Sequence, residues 1–253
     1  MPAFAEMQKE GLAENVIIKG VFGLPVDNSI IKERGYDGIA RYLKSLGVNT
    51  VVGVPLNKEL IHELHAQGIK VYAEVGIFTG QEYWIKDSGT KPINSQGEPI
   101  AKQDWYAGLC PTQEKLRGEK LSYIKRIVED FEIDGIWLDF IRYPCHWEVV
   151  FPVLEETCFC DVCIEKFKND SKISFPADLK STKDKAGFIM SSYKLKWYDW
   201  RCEQITSFVR EAKKILSDKN PRLELGLFAV PWVEGEFDNA IISIIAQDFK
   251  KLS

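Results

Sequence analysis

Long apolar runs, clusters of basic residues and nucleotide-binding glycine motifs are all missing from this sequence of 253 residues. No window approaches the eighteen or so apolar residues that a membrane-spanning helix needs, so no membrane contact is expected. Residues 1–10 lack a basic segment followed by an apolar one, and the chain as given reads as cytoplasmic. Lys and Arg number 33 against 37 Asp and Glu, a formal net charge of −4. A nucleic-acid backbone or an anionic membrane asks for clustered cations, so neither is the expected main partner. No G-x-G-x-x-G or G-x-x-x-x-G-K-[ST] follows an apolar run, which leaves nucleotide binding without support. Histidine is scarce as well: of three, His62 and His65 share one helical stretch with no third metal ligand nearby and read as surface residues.

What is present is an alternation of apolar runs and amphipathic stretches. Residues 16–24 read as a first strand, and Ile39, Tyr42, Leu43 and Leu46 then keep the 3.6-residue spacing of a helix that Gly47 closes. A second strand at 50–55 leads to a helix on Leu60, Ile61 and Leu64, capped by Asn57 and closed by Gly68. The third strand, 70–78, has Glu74 in its second half. Residues 79–111 are too rich in Gly and Pro for a helix and, with Trp84, Trp105 and Tyr106, too aromatic for a disordered linker, so they read as an ordered excursion. A helix with Ile124, Ile127, Val128 and Phe131 on one face feeds a fourth strand. A second excursion, 145–191, holds most of the cysteines and a lysine-rich stretch that reads as solvated loop with room for one short helix. A helix at 195–216, a fifth strand at 222–232, an acidic loop with Glu234, Glu236 and Asp238, and a helix carrying Ile242, Ile245, Phe249 and Leu252 complete the pass.

Strands alternating with helices imply a parallel sheet with right-handed crossovers, and long insertions on strand-to-helix connections imply one functional rim. The expected fold is an α/β protein of the (β/α)8 TIM-barrel type in a single domain, with rim insertions at 79–111 and 145–191. Five units are counted, so the expectation includes an incomplete barrel, continued by three more units in a parent protein and able to self-associate through its open edges. A doubly wound open sheet is the runner-up.

The stretch D-G-I-W-L-D-F-I-R-Y-P, residues 134–144, anchors the functional reading. Its apolar run is that of a strand buried on both faces, interrupted by Asp139 near the C-terminal end, and a buried carboxylate needs a partner or a task. Arg142 and Tyr143 follow at the mouth of the strand, with His146, Trp147 and Glu148 just beyond. A salt bridge to Arg142 is the purely structural alternative for Asp139.

Six cysteines are present. Cys158, Cys160 and Cys163 form a C-x-C-x-x-C knot whose thiolates can reach one tetrahedral ion, with Cys110 as the fourth ligand and Cys145 in competition for that place. Structural zinc is the expectation, against a reduced or disulfide-forming loop. Cys202, inside a helix, reads as core.

The blocks W-Y-A-G-L-C-P-T, D-G-I-W-L-D-F-I-R-Y-P, C-F-C-D-V-C-I-E-K-F and G-L-F-A-V-P-W with Q-D-F-K-K-L, which together span nearly the whole chain, resemble the glycoside hydrolase-like TIM barrels of bacteria and archaea. Cys110 with the C-x-C-x-x-C also resembles the structural zinc cluster of family 42 β-galactosidases. The resemblance implies a barrel whose rim binds carbohydrate, with Asp139 at the position of the acidic residue ending the fourth strand. The sixth-strand segment expected after Leu252 is absent from the sequence given.

Hydrolysis of a glycosidic bond needs, in most families, two carboxyl groups flanking that bond, and neighbouring strand ends can supply them. Asp139 is the expected first catalytic residue. Glu234 is the favoured second, ahead of Glu74 and Glu148, because it follows the fifth strand's exit. Glu74, Glu148, Arg142, Tyr143 and His146 are candidate substrate contacts, and Trp105, Trp147 and Trp232 are candidate stacking platforms for sugar rings. Arg142 is expected to keep Asp139 ionised. No organic cofactor is expected. A glycan-binding barrel without catalysis would lack a second carboxylate beside Asp139. An interaction module stabilised by zinc would expose an apolar patch at Phe159 and Phe167.

Overall fold

A computed structural model describes residues 18–24 and 29–252 of the chain. The element order is β1 (Gly20–Phe22), α1 (Ser29–Ser45), β2 (Thr50–Val52), α2 (Lys58–Ala66), β3 (Lys70–Gly76), α3 (Gln81–Lys86), α4 (Glu114–Asp130), β4 (Gly135–Asp139), α5 (Asp161–Ser171), α6 (Thr182–Ser192), α7 (Lys194–Lys219), β5 (Glu224–Leu227), α8 (Ala240–Ser243) and α9 (Phe249–Leu252). The strands form one sheet in the order β1-β2-β3-β4-β5. This is the sequential, parallel arrangement of consecutive β/α barrel units, as expected from the alternation.

The chain divides within β3 into two compact units, residues 1–72 and 73–253. In the first, β1 pairs with β2 and β2 with the start of β3, all parallel. Asn57 caps α2 by accepting the Leu60 N–H at 3.0 Å, and Leu60, Ile61 and Leu64 are buried. Gly47 and Gly68 end their helices at φ of 78° and 68°. Both glycines stand where expected. Val16 and Ile17 of the expected first strand lie outside the described residues.

In the second unit β4 pairs with β5 in parallel, from Gly135 opposite Glu224 to Leu138 opposite Leu227. Helix α7 is the main packing partner: Ile205, Phe208, Ala212 and Leu216 are fully buried, and Trp197 stacks on both Phe159 and Trp200 at 5.0 Å between ring centroids. Phe159 and Phe167 are also fully buried, so no apolar interaction patch forms around them.

Three expectations are corrected here. The first excursion does contain a helix, the six-residue α3. The second holds two helices of eleven residues each, α5 and α6, where one short helix was expected. The signal for α6 sits in the lysine-rich stretch itself: Ser181 and Asp184 form a capping box, each side chain bonded to the other's backbone N–H. The terminal helix is broken into α8 and α9, with Ala246 at a φ of 58°.

Gln247 accounts for that break. Its side chain is fully buried, its Oε1 accepts the Val230 N–H at 3.0 Å, and its Nε2 donates to the carbonyls of Phe228 (3.2 Å) and Ile141 (3.3 Å). One amide thereby serves the backbone beyond both β4 and β5, and β5 stops at Leu227 although the apolar pattern runs on to Trp232. Gln247→Leu removes three side-chain hydrogen bonds to the backbone and is expected to lower stability by about 3 kcal/mol. Urea denaturation measures this, and a loss below about 1 kcal/mol would show that the clip is dispensable.

Candidate active site

The site grows from the exits of β3 and β4. The Ile77 N–H donates to the Asp139 carbonyl at 2.8 Å and the Phe78 N–H to the Phe140 carbonyl at 3.2 Å, so the two strand ends leave the sheet side by side. Phe140 then takes a φ of 51°, which ends β4 and turns its N–H onto Asp139 Oδ1 at 2.7 Å. The first excursion returns along the β3 exit, with the Leu109 N–H on the Phe78 carbonyl at 2.9 Å and the Gly80 N–H on the Ala107 carbonyl at 3.0 Å. Gly108 permits this approach, because a Cβ there would lie 2.5 Å from Pro144 Cβ. Trp105 and Tyr106 are thus brought against Phe140, at centroid distances of 5.9 and 5.4 Å, and Trp105 packs edge-on to His146 at 5.6 Å.

The side chains of Asp139 and Glu74 act on each other closely enough for each to shift the other's pKa. Burial is the main cause that raises the pKa of Glu74 above its ordinary value, and the neighbouring Asp139 raises it further. Burial also raises Asp139, against the lowering effects of the Phe140 N–H, the Arg142 charge and the interaction with Glu74. The interaction between them raises Glu74 and lowers Asp139, so of the two it is the charged form of Asp139 that the pairing favours. Arg142 favours the ionised form of Asp139, as expected, while burial acts against it more strongly and the net shift is upward. Arg142 itself is buried, its guanidinium 4.8 Å from the Phe140 ring centroid and 5.6 Å from that of Tyr106.

The other candidates separate into those near this pair and those remote from it. His146 donates its backbone N–H to Gln103 Oε1 at 3.1 Å and stands 3.9 Å from the Glu148 carboxylate, whose charge acts on Asp139. Trp105 is 54% exposed and offers an open ring face at the rim. Trp232 offers none: it is buried against Phe237, at 5.0 Å, in a cluster with Cys145, Val230, Ile241 and Ile245, on which the half-buried Trp147 also packs. Tyr143 is fully buried, with the Arg201 guanidinium 4.2 Å from its ring centroid, and the charges acting on it are those of Arg201 and the cysteine cluster rather than Asp139. Glu234 is exposed on the loop after β5, and the carboxyl group that meets Asp139 is Glu74. The alternation of strand residues could have marked Glu74, because both carboxylates interrupt apolar strands near their C-terminal ends.

The cysteines settle as a second centre. The sulfur atoms of Cys110, Cys158, Cys160 and Cys163 all lie within 4.8 Å of one another. The Cys110 sulfur is 3.4 Å from that of Cys163 and 3.9 Å from that of Cys160, which brackets the roughly 3.8 Å edge of a tetrahedron with metal–sulfur bonds of about 2.3 Å. Four thiols in this arrangement fit a closed metal site. Cys145 is elsewhere, its thiol against the Val153 carbonyl and pushed by burial up to about 11, so the competition for the fourth ligand goes to Cys110. Cys202 is buried in α7, as expected. His62 and His65 are exposed.

A parallel sheet with helical crossovers defines the class of fold, and comparison with known proteins is consistent with it. No family model matches the chain. An S-layer-related protein of Niallia circulans is 22% identical over 269 residues, covering 94% of this chain and 16% of that protein. Among solved structures, the PgaB glycoside hydrolase domain of Bordetella bronchiseptica superposes with a TM-score of 0.61 at 12% identity, over 91% of this chain and 70% of the domain. A GH42 β-galactosidase from G. stearothermophilus superposes with a TM-score of 0.55 at 12% identity, over 84% of this chain and 35% of the enzyme. The chain therefore shares the fold of part of these structures, that of consecutive β/α barrel units, and spans a minor part of the β-galactosidase and of the Niallia protein. Among the described residues no helix is long and apolar enough to cross a membrane.

Proposed function

We propose that this chain carries the first strands and the rim of a glycoside hydrolase, with Asp139 as a catalytic carboxyl group and Glu74 as the residue that controls its proton. The observation that carries this reading is the pair of half-buried, interacting carboxyl groups on two adjacent strands near their exits. In this reading the two act as a single acid–base unit, and the second carboxyl group of the roughly 5 Å or 6.5–9.5 Å catalytic pair lies across the bond from them. Glu234 remains the candidate within this chain for the second carboxyl group across the bond. Trp105 supplies an apolar face for a sugar ring, with His146 and Glu148 beside it. The cysteine cluster holds zinc as a structural ion without an open coordination position. The barrel of this reading is completed by strands beyond the five, which is supported by the small share of the β-galactosidase that the chain spans, and the open edges of β1 and β5 are where copies would associate. Activity and binding screens on a glycan panel, with Asp139→Asn as control, test it. No turnover and no binding by a protein containing the whole barrel would overturn it.

The carboxyl pair also predicts a pH signature. Both groups have raised pKa values in the folded state, so their contribution to stability is fully present below the ordinary carboxyl range and is lost as pH rises through the raised values. Glu74→Gln, which fixes the neutral form, is expected to raise stability at neutral pH relative to wild type and to change it little near pH 3. Thermal unfolding measured across that range checks the sign. A variant less stable at pH 7 than at pH 3, relative to wild type, would contradict the raised pKa values.

A further inference from the structure

Four thiolates around a divalent ion leave a net charge of −2, and three of the four cysteines here are fully buried. Such charge is held in a low-dielectric interior only with help from hydrogen-bond donors outside the ligand set. Donors of that kind surround the cluster. The Ile93 N–H points to Cys158 Sγ at 3.3 Å, and Gln113 Nε2 to Cys160 Sγ at 3.8 Å. The hydroxyl of Thr112, a residue 1% exposed, lies 2.6 Å from Cys163 Sγ and 3.0 Å from Cys110 Sγ.

Resting on the metal reading above, we propose that Thr112 is the positioning residue that sets how tightly the cluster holds its ion. Its single proton serves either Cys110 or Cys163, and a rotation about the Cβ–Oγ1 bond exchanges them. These are the two ligands that join the separate excursions, since Cys110 ends the first and Cys163 lies in α5 of the second. Thr112 stands two residues before α4, next to its cap residue Gln113, and is buried there. A threonine that merely filled space would be replaced by valine, of nearly the same shape, without consequence.

Metal affinity separates the two roles. Wild type, Thr112→Val and Thr112→Ser are loaded with zinc and titrated against a chromophoric chelator, and the cobalt forms are compared by their thiolate charge-transfer absorption. Thr112→Val is expected to weaken zinc binding about 10- to 100-fold with the four-sulfur absorption intact, and Thr112→Ser to stay close to wild type. Gln113→Leu, which removes the longer contact, is expected to show a smaller loss. Thr112→Val binding zinc as tightly as wild type would overturn the proposal. Should that variant fail to accumulate, Thr112→Ala replaces it: affinity equal to that of Thr112→Ser overturns the proposal, and weaker affinity upholds it. Wild type that takes up neither metal refutes the metal reading itself, a result distinct from an unchanged affinity in the valine variant.

Discussion

Asp139→Asn is expected to lower glycosidase turnover by about 10²–10⁴-fold, the range that loss of a general acid–base group produces, while the fold persists. The persistence follows from the physical state of the site. The Asp139 carboxylate is raised mainly by burial, so its charged form is held at a cost that a neutral amide avoids. Asparagine keeps an oxygen for the Phe140 N–H, so the turn at the β4 exit retains its bond. Glu74→Gln, in contrast, leaves Asp139 in place but removes the titratable group that acts on it. Its expected signature is a displaced pH profile more than a flat loss. Kinetics with the most active substrate of the glycan panel, over a range of pH, distinguish the two variants. Near-normal turnover by Asp139→Asn would sink the catalytic assignment, and glycan binding without any turnover in wild type would leave a carbohydrate-binding barrel.

Removal of the metal is expected to have the second large effect. Structural zinc binding in small domains is worth on the order of 10–16 kcal/mol of apparent free energy, and a part of that supports the fold wherever the ligands come from separate segments. Here Cys110 ends the excursion that carries Trp105 and Tyr106, and Cys158, Cys160 and Cys163 lie in the excursion that begins beside His146 and Glu148. A strong chelator, or Cys163→Ser, is therefore expected to lower Tm by more than about 5 °C and to open residues 79–111 and 145–163 to proteases before the sheet unfolds. Metal analysis, calorimetry and limited proteolysis of the same preparation check it. Protein that contains no metal as purified and shows neither change would refute a structural role for the cluster.

Periodicity carried much of this information before any coordinates. The glycines that end helices, the Asn57 cap, the stripes on α2 and α7 and the parallel alternation were all legible, because each depends on residues within about one helical turn or one strand. The cysteine knot was legible for the same reason, since its three thiolates lie within six residues. Its fourth member was read as Cys110, but with Cys145 still in competition. Cys110 and Cys145 are each at the edge of an excursion, and only the path of the chain places Cys110 with the knot and Cys145 under Trp232.

The candidate site divides in the same way. That Asp139 is a costly residue in a buried strand followed from its neighbours in sequence, and so did its position at a strand exit. That its partner is Glu74 depends on β3 and β4 lying side by side, which sequence distance conceals, and Glu234 was favoured only because it follows a strand. The fate of the aromatic residues also rested on packing: Trp105 and Trp232 are equally plausible platforms on paper, but one is open at the rim and the other is enclosed in a satellite core. Local order, fold class and the presence of a costly carboxylate were thus determined by the sequence itself. Which carboxyl groups interact, which thiols form the cluster and which ring faces the rim were decided by tertiary structure, because each is a contact between segments that meet only after the strands and their excursions are packed.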